Sequence, residues 1–184
     1  MKNKHKTIAE REKEAFSQMK EAFKYKNVTQ APKLVKVVLS SGTGSQIKKD
    51  KKKNDLIIDR LTRISGQKAV GRPAKKSIAT FKSRQGEIIG VMVTLRGRRM
   101  KLFLERLINV ALPRTKDFKG INRSAVDSMG NLNMGIKEHN IFPETAGEDL
   151  KDVFGLVITC VSTADNKKEA TVFFENLGFP FKKE

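Results

Sequence analysis

Apolar residues along this chain recur with two periods, and the switches between them mark its elements. Between Ile8 and Lys26, Phe16, Met19 and Phe23 fall at i, i+3 and i+7, one face of a helix. The opposite face carries Glu10, Arg11, Glu12, Lys13 and Glu14, which suits water. Pro32 fixes where the next element begins, and Lys33–Leu39 (KLVKVVL) reads as a short β-branched strand, followed by a flexible glycine turn over Ser40–Ser45. Ile57, Leu61 and Ile64 restore helical spacing, and Gly66 takes the position just past that helix's end. Lys68–Val70 predicts a strand, residues 72–86 a long loop, and Ile88–Leu95 (IIGVMVTL) the partner strand. A hairpin loop of about fifteen residues is long, and such loops are usually functional or disordered. Gly97 opens a helix from Arg98 or Arg99 to about Leu112, with Met100, Phe103, Leu104, Leu107 and Ala111 as its buried stripe and Pro113 as its stop. Residues 114–130 read as irregular, Asn131–Ile136 as a strand, Ile141–Glu148 as a loop around Pro143, and Phe154–Ser162 as a further strand. Asn166 with Glu169 three residues on predicts a capping box, and the helix it starts buries Ala170, Phe173, Phe174 and Leu177 before Gly178. Helices and strands interleave without regular βαβ repeats. The expected fold is α+β, a mainly antiparallel sheet with helices packed on one face, in a single domain over residues 1–184 with residues 1–7 as a loose basic tail.

Composition narrows the partner. The 184 residues hold 38 Lys and Arg against 20 Asp and Glu, a formal net charge of +18. Such an imbalance destabilises the compact state by self-repulsion unless a partner supplies anions. Nucleic acid, an anionic membrane surface and an acidic protein all qualify on charge alone. The longest apolar run, Leu156–Val161, is broken by Thr159 and is far too short to span a bilayer. No helix sets lysines opposite a large apolar face, which argues against a membrane surface. The single cysteine, Cys160, excludes an internal disulfide framework and fits a reducing, cytoplasmic setting.

The charge is not spread evenly. Residues 66–101 hold ten basic side chains (Lys68, Arg72, Lys75, Lys76, Lys82, Arg84, Arg96, Arg98, Arg99 and Lys101) and one acid, Glu87. A solvated surface mixes both signs. Arg98 and Arg99 at a helix start also oppose the macrodipole, so helix capping does not account for them. Phosphates do, since basic groups release counterions and the arginine fork suits bidentate contact. Phe81 adds a candidate stacking ring and Gly86 a tight backbone approach. A second cluster, KKDKKK at 48–53, likewise opposes the dipole of the helix behind it and suits phosphate contact. With no helix-turn-helix spacing and no zinc-finger ligands, a sheet bearing basic loops leans toward RNA.

Catalytic readings fare worse. Gly42-Thr43-Gly44 lies between a strand and a helix, as a dinucleotide-binding turn would, but the third glycine of that fingerprint would fall at Ile47, and no Walker loop is present. His5 and His139 are remote from each other, and one cysteine cannot complete a metal site. Cys160 alternates with Ile158 and reads as core. The acids Asp117, Asp127, Glu138 and Glu144 are scattered. The sequence predicts no cofactor, no metal and no small-molecule substrate.

A series of short motifs recurs in a familiar order. GQK stands at 66–68, AKKSIA at 74–79, FK at 81–82, TLRG at 94–97, FLERLINVALPR at 103–114, DFKG at 117–120 and GN at 130–131. GIKE at 135–138, IFPE at 141–144 and FPF at 179–181 follow. From about Phe23 to Phe181 the chain closely resembles bacterial ribosomal protein five of the large subunit, the universal 5S-rRNA-binding family. The resemblance implies a non-enzymatic protein that binds 5S rRNA and 23S rRNA in the central protuberance. It also implies contact with the P-site tRNA, with neighbouring ribosomal proteins of the protuberance, and with the small-subunit bridge. Carried over motif by motif, the 5S rRNA surface would draw on Ser40, Gly42, Gly44, Gln67 and Thr94, with Lys68 and Arg96 nearby. The tRNA-facing loop would run from Arg72 to Arg84, with Lys75, Lys76, Ser77 and Lys82 as its other polar members. Four positions depart from the family pattern. Ser40 stands for an asparagine, so a two-ended amide becomes one hydroxyl. Ala69 follows GQK where proline is usual, Pro73 stiffens the loop entry, and Leu132 replaces a tyrosine.

Overall fold

The computed structural model describes residues 6–44, 53–81, 83–116, 118–145 and 153–182. Expectations that concern the lysine run 48–53 up to Lys52, the tail up to His5, Lys82 and Asp117 lie outside the described residues. Five strands, β1 (Leu34–Gly42), β2 (Val70–Pro73), β3 (Ile88–Leu95), β4 (Leu132–Ile136) and β5 (Leu156–Ser162), form one antiparallel sheet in the order β2-β3-β1-β5-β4. The class is α+β. Strand burial alternates as a half-buried pleat requires: Val37, Leu39 and Ser41 of β1, Val91, Val93 and Leu95 of β3, and Leu156, Ile158 and Cys160 of β5 point inward. Cys160 is a core residue, and burial pushes its thiol up to about 12.

The chain folds as two compact units. The first comprises Met1–Val37, Arg96–Met134 and Thr159–Glu184. Its helix α1 (Ile8–Phe23) starts on a capping box between Thr7 and Glu10. It ends three residues before the expected Lys26, where Lys24 turns left-handed at φ 54°. Its buried stripe is Ile8, Ala15 and Met19, while Phe16 and Phe23 are only half-buried, and Phe23 instead stacks on Tyr25 with ring centroids 5.9 Å apart. Helix α3 (Gly97–Arg106), in the same unit, buries the expected Met100, Phe103 and Leu104. It does not stop at Pro113. A π-turn over Leu107–Ala111 leads into a last short turn, α4 (Leu112–Arg114), in which the Leu112 N–H bonds the Leu107 carbonyl. Pro113 has no N–H to continue the ladder, and the helical run ends one residue on, at Arg114. In α5 (Lys167–Asn176), Asn166 accepts the Glu169 N–H at 2.9 Å, but the Glu169 carboxylate reaches the Asp165 N–H rather than that of the cap residue itself. Only half of the expected capping box forms. The other Glu169 oxygen accepts the Tyr25 hydroxyl, and burial together with this bond raises the phenol well above its ordinary range.

The second unit comprises Val38–Leu95 and Gly135–Ile158. Helix α2 (Lys53–Ser65) buries Ile57, Leu61 and Ile64 as expected, each worth roughly 1.5–3 kcal/mol relative to exposure. Gly66 follows at φ 67°, its N–H bonded to the Thr62 carbonyl at 2.8 Å. Against this helix His139 is fully buried, stacked on Phe154 at 4.2 Å, with its Nε2 3.3 Å from Arg60 Nη1. The histidine is a core residue.

Candidate nucleic-acid interface

The β2–β3 hairpin and the end of β1, all in the second unit, carry the candidate site. Two of its boundaries differ from the sequence reading. β2 begins at Val70 and runs to Pro73, not Lys68 to Val70. Lys68 lies in the turn before it, exposed to solvent. β1 continues through Ser40, Ser41 and Gly42, which had read as a flexible turn. The strand persists because Ser41 Oγ donates to the Gly155 carbonyl at 2.8 Å and the Thr43 N–H to the Ile89 carbonyl at 2.9 Å. These long-range bonds outweigh local turn preference. β1 is antiparallel to its neighbours, so the Gly42–Gly44 segment is not the parallel βα crossover that dinucleotide binding requires.

Ser40 and Gly42 of β1 and Gly90, Met92 and Thr94 of β3 lie on the half-exposed side of the pleat. None of these five residues is charged. A Cβ added at Gly42 would meet nothing within 4 Å, and one at Gly44 only Ile89 atoms at 3.9 and 4.0 Å. Packing within the chain does not demand either glycine, and their bare backbone is open to an outside partner.

Gln67 is tied to this face. Its Nε2 donates to the Thr94 carbonyl at 3.0 Å, which fixes the amide plane. The turn beneath is rigid: Ser65 Oγ donates to the Gln67 carbonyl at 2.8 Å, and Thr62 Oγ1 accepts the Ala69 N–H at 3.0 Å. Neither hydroxyl stood out in the sequence, although Ser65 directly precedes GQK and Thr62 lies one helical turn before it. Arg96, the remaining member of the expected set, is the exposed N-cap residue of α3 in the first unit.

The long loop is a second hairpin. The register of β2 and β3 shifts between Arg72 and Pro73, where Pro73 pairs with Ile88. Pro73 and Ile88 face each other as a non-hydrogen-bonded pair, flanked by the bond from the Ala74 N–H, so an edge-strand proline removes no bond here. The Ile88 carbonyl accepts Nδ2 of the buried Asn54 of α2 at 3.3 Å. Beyond the shift the Ala74 N–H bonds the Glu87 carbonyl at 2.8 Å, and the Gly86 N–H bonds the Ala74 carbonyl at 3.0 Å. Ile78 and Ser83 exchange both backbone bonds, at 3.1 and 3.3 Å. Ser77 Oγ accepts the Gln85 N–H at 2.9 Å, so this hydroxyl is already engaged. Gly86, at φ 84°, makes the return turn.

Arg72, Lys75, Lys76 and Arg84 are exposed and make no ion pair with any described residue. The one acid of the stretch, Glu87, spends Oε2 on the Arg84 backbone N–H at 3.2 Å. Lys101, by contrast, is neutralised: it pairs with Glu12 at 2.6 Å. Among the described residues, four unpaired cations of the stretch therefore stand on the hairpin, while Lys68 in the turn before β2 and Arg96, Arg98 and Arg99 at the start of α3 are exposed as well.

Two family models cover most of the chain, ribosomal protein L5 over residues 27–84 and the C-terminus of the same ribosomal family over residues 88–181. The chain belongs to the ribosomal protein L5 family. Its relatives include the large ribosomal subunit protein uL5 of Flavobacterium johnsoniae, 50% identical over 168 residues, with 91% of each chain covered. That of Christiangramia forsetii is 50% identical over 167 residues with the same coverage. That of Ureaplasma parvum serovar 3 is 48% identical over 165 residues, covering 90% of this chain and 89% of its own. As an L5 family member the chain is a structural constituent of the large ribosomal subunit and not an enzyme.

Proposed function

We propose that this L5 family protein binds 5S rRNA through the open sheet face and the GQK turn, and contacts the P-site tRNA through the basic hairpin. The observation that carries the reading is the division of the second unit's surface. Gln67 is bonded to the Thr94 carbonyl, and Thr94 and Ser40 lie on the half-exposed side of the sheet with the bare backbone of Gly42, Lys68 being exposed to solvent. Arg72, Lys75, Lys76 and Arg84 crowd a projecting hairpin without counter-ions among the described residues. Arg96 and Lys82 complete the two sets from the sequence, as does Ser77. Amides and hydroxyls hydrogen-bond bases and sugars, whereas unpaired cations neutralise phosphate. Contact with 23S rRNA, with proteins of the central protuberance and small-subunit bridge, and a cytoplasmic location complete the proposal. The remaining lysines of the 48–53 run suit a further phosphate contact.

A gel-shift titration with isolated 5S rRNA tests the first half. Tight binding that weakens with salt by about 0.7–0.9 in log–log slope for each neutralised phosphate is expected. Equal affinity for an unrelated RNA of similar length would overturn the claim of specificity. For the second half, changing Lys75, Lys76, Lys82 and Arg84 together to alanine should weaken tRNA contact and leave 5S rRNA affinity intact. Equal loss of both would mean that the two surfaces are not separate.

A further inference from the structure

The basic hairpin ends in an apolar tip. Ile78 closes its last backbone pair and is 46% exposed, and Phe81 in the turn beyond is 66% exposed. The chain has 11 phenylalanines, and of these Phe81 alone is exposed; the others are buried or half-buried. A lone surface apolar residue is ordinary. An aromatic ring held out by a hydrogen-bonded turn, with a second apolar side chain at its base and unpaired Lys75, Lys76 and Arg84 along the stem, is a different case. The surrounding charge opposes an apolar protein partner and favours one that presents phosphates. Among phosphate-bearing partners, an A-form duplex hides its base faces, while loops and bends of a folded RNA leave bases unstacked and free to cover a ring.

We infer that Phe81 stacks on an unpaired base of a folded RNA, with Ile78 packing against the ring's edge and the stem cations holding the flanking phosphates. The inference rests on the hairpin being RNA-facing, and it adds how the tip chooses its target: by an exposed base, not by backbone charge alone. Base–aromatic stacking tolerates any base, so the tip selects a conformation more than a sequence.

The 184 residues contain no tryptophan, so Phe81→Trp places a single indole at the tip. A tRNA transcript should quench its emission, and an RNA duplex of matched length should not. In parallel, Phe81→Leu keeps the apolar bulk and loses the π face. It should weaken tRNA binding roughly 5- to 150-fold with the salt slope unchanged. Lys75→Ala and Lys76→Ala should instead each reduce that slope by about 0.7–0.9. If Phe81→Leu binds as wild type while the lysine variants weaken, stacking is refuted and the RNA-facing reading stands. Equal quenching by duplex and tRNA also refutes it. If neither set changes tRNA binding, the RNA-facing reading fails and the inference falls with it.

Discussion

Gln67 gives the sharpest test of the sheet face. Its side chain spends one N–H on the Thr94 carbonyl at 3.0 Å and is half-buried, so the amide edge turned from the strand is presented at a fixed angle. In Gln67→Ala that carbonyl loses a neutral donor. Near the surface, water replaces it, and the stability cost stays at the low end of roughly 0.5–1.5 kcal/mol. The RNA loses more. An amide edge that can donate and accept at once is worth about 1–3 kcal/mol when it meets a base, or roughly 5- to 150-fold in affinity. Gln67→Glu is the stricter variant, because a carboxylate oxygen would replace Nε2 against the Thr94 carbonyl and add a negative charge facing phosphate. Its affinity loss should exceed that of the alanine variant. The assay is equilibrium binding to 5S rRNA alongside urea denaturation of the free protein. Wild-type affinity for Gln67→Ala, or a loss fully accounted for by unfolding, would show that Gln67 only props the turn.

Two further predictions concern the turn before β4. Gly130 sits at φ 76°, and a Cβ there would lie 2.7 Å from the Ala164 carbonyl oxygen, so Gly130→Ala combines a left-handed backbone cost with a clash. The loss should be about 2–5 kcal/mol by denaturation, while Met129→Ala next to it, 73% exposed, should change almost nothing. In the same turn burial pushes the Asp127 carboxyl up, but hydrogen bonds from the Asn131 backbone and side chain and from the Met129 N–H outweigh it and hold the carboxyl below its ordinary value of 3.8. A depressed folded pKa contributes stability above the unfolded value and loses it as pH falls through the folded one. Asp127→Asn should therefore flatten the stability profile on the acid side, and unchanged curvature there would count against the turn's hydrogen bonds.

Much of the fold was legible because burial follows the period. The stripes of α2, α3 and α5 and the alternation of β3 and β5 put each apolar side chain where the spacing required. What failed was set by contacts distant in sequence. β2 is four residues of Val, Gly, Arg and Pro, none of them buried, so no alternation marks it. It is a strand only because β3 pairs with it. The Ser-Ser-Gly end of β1 reads locally as a turn, and the Gly155 carbonyl, 114 residues away, makes it strand. Lys101 looks like part of a basic stretch until Glu12, 89 residues upstream, neutralises it. The site was half legible. Charge indicated a polyanion, and the ordered motifs supplied Gln67 and Thr94, but no spacing rule showed that these two residues are joined by a hydrogen bond.

Pro73 shows how a departure from the usual pattern is accommodated. A proline is tolerated on an edge strand where its nitrogen faces away from the partner, as at Pro73 in the edge strand β2. The carbonyl of its partner Ile88 accepts a bond from Asn54 on α2. That bond comes from a helix, so the base of the hairpin is tied to the body of the unit at the residue where its register shifts. A projecting loop of like charges would otherwise splay, because its cations repel one another. The bond from Asn54, the Ala74–Glu87 and Ile78–Ser83 pairs and the Gly86 turn together hold Lys75, Lys76 and Arg84 on a defined stem. Under the proposed function, a stem already ordered within the protein lowers the entropic cost of RNA binding.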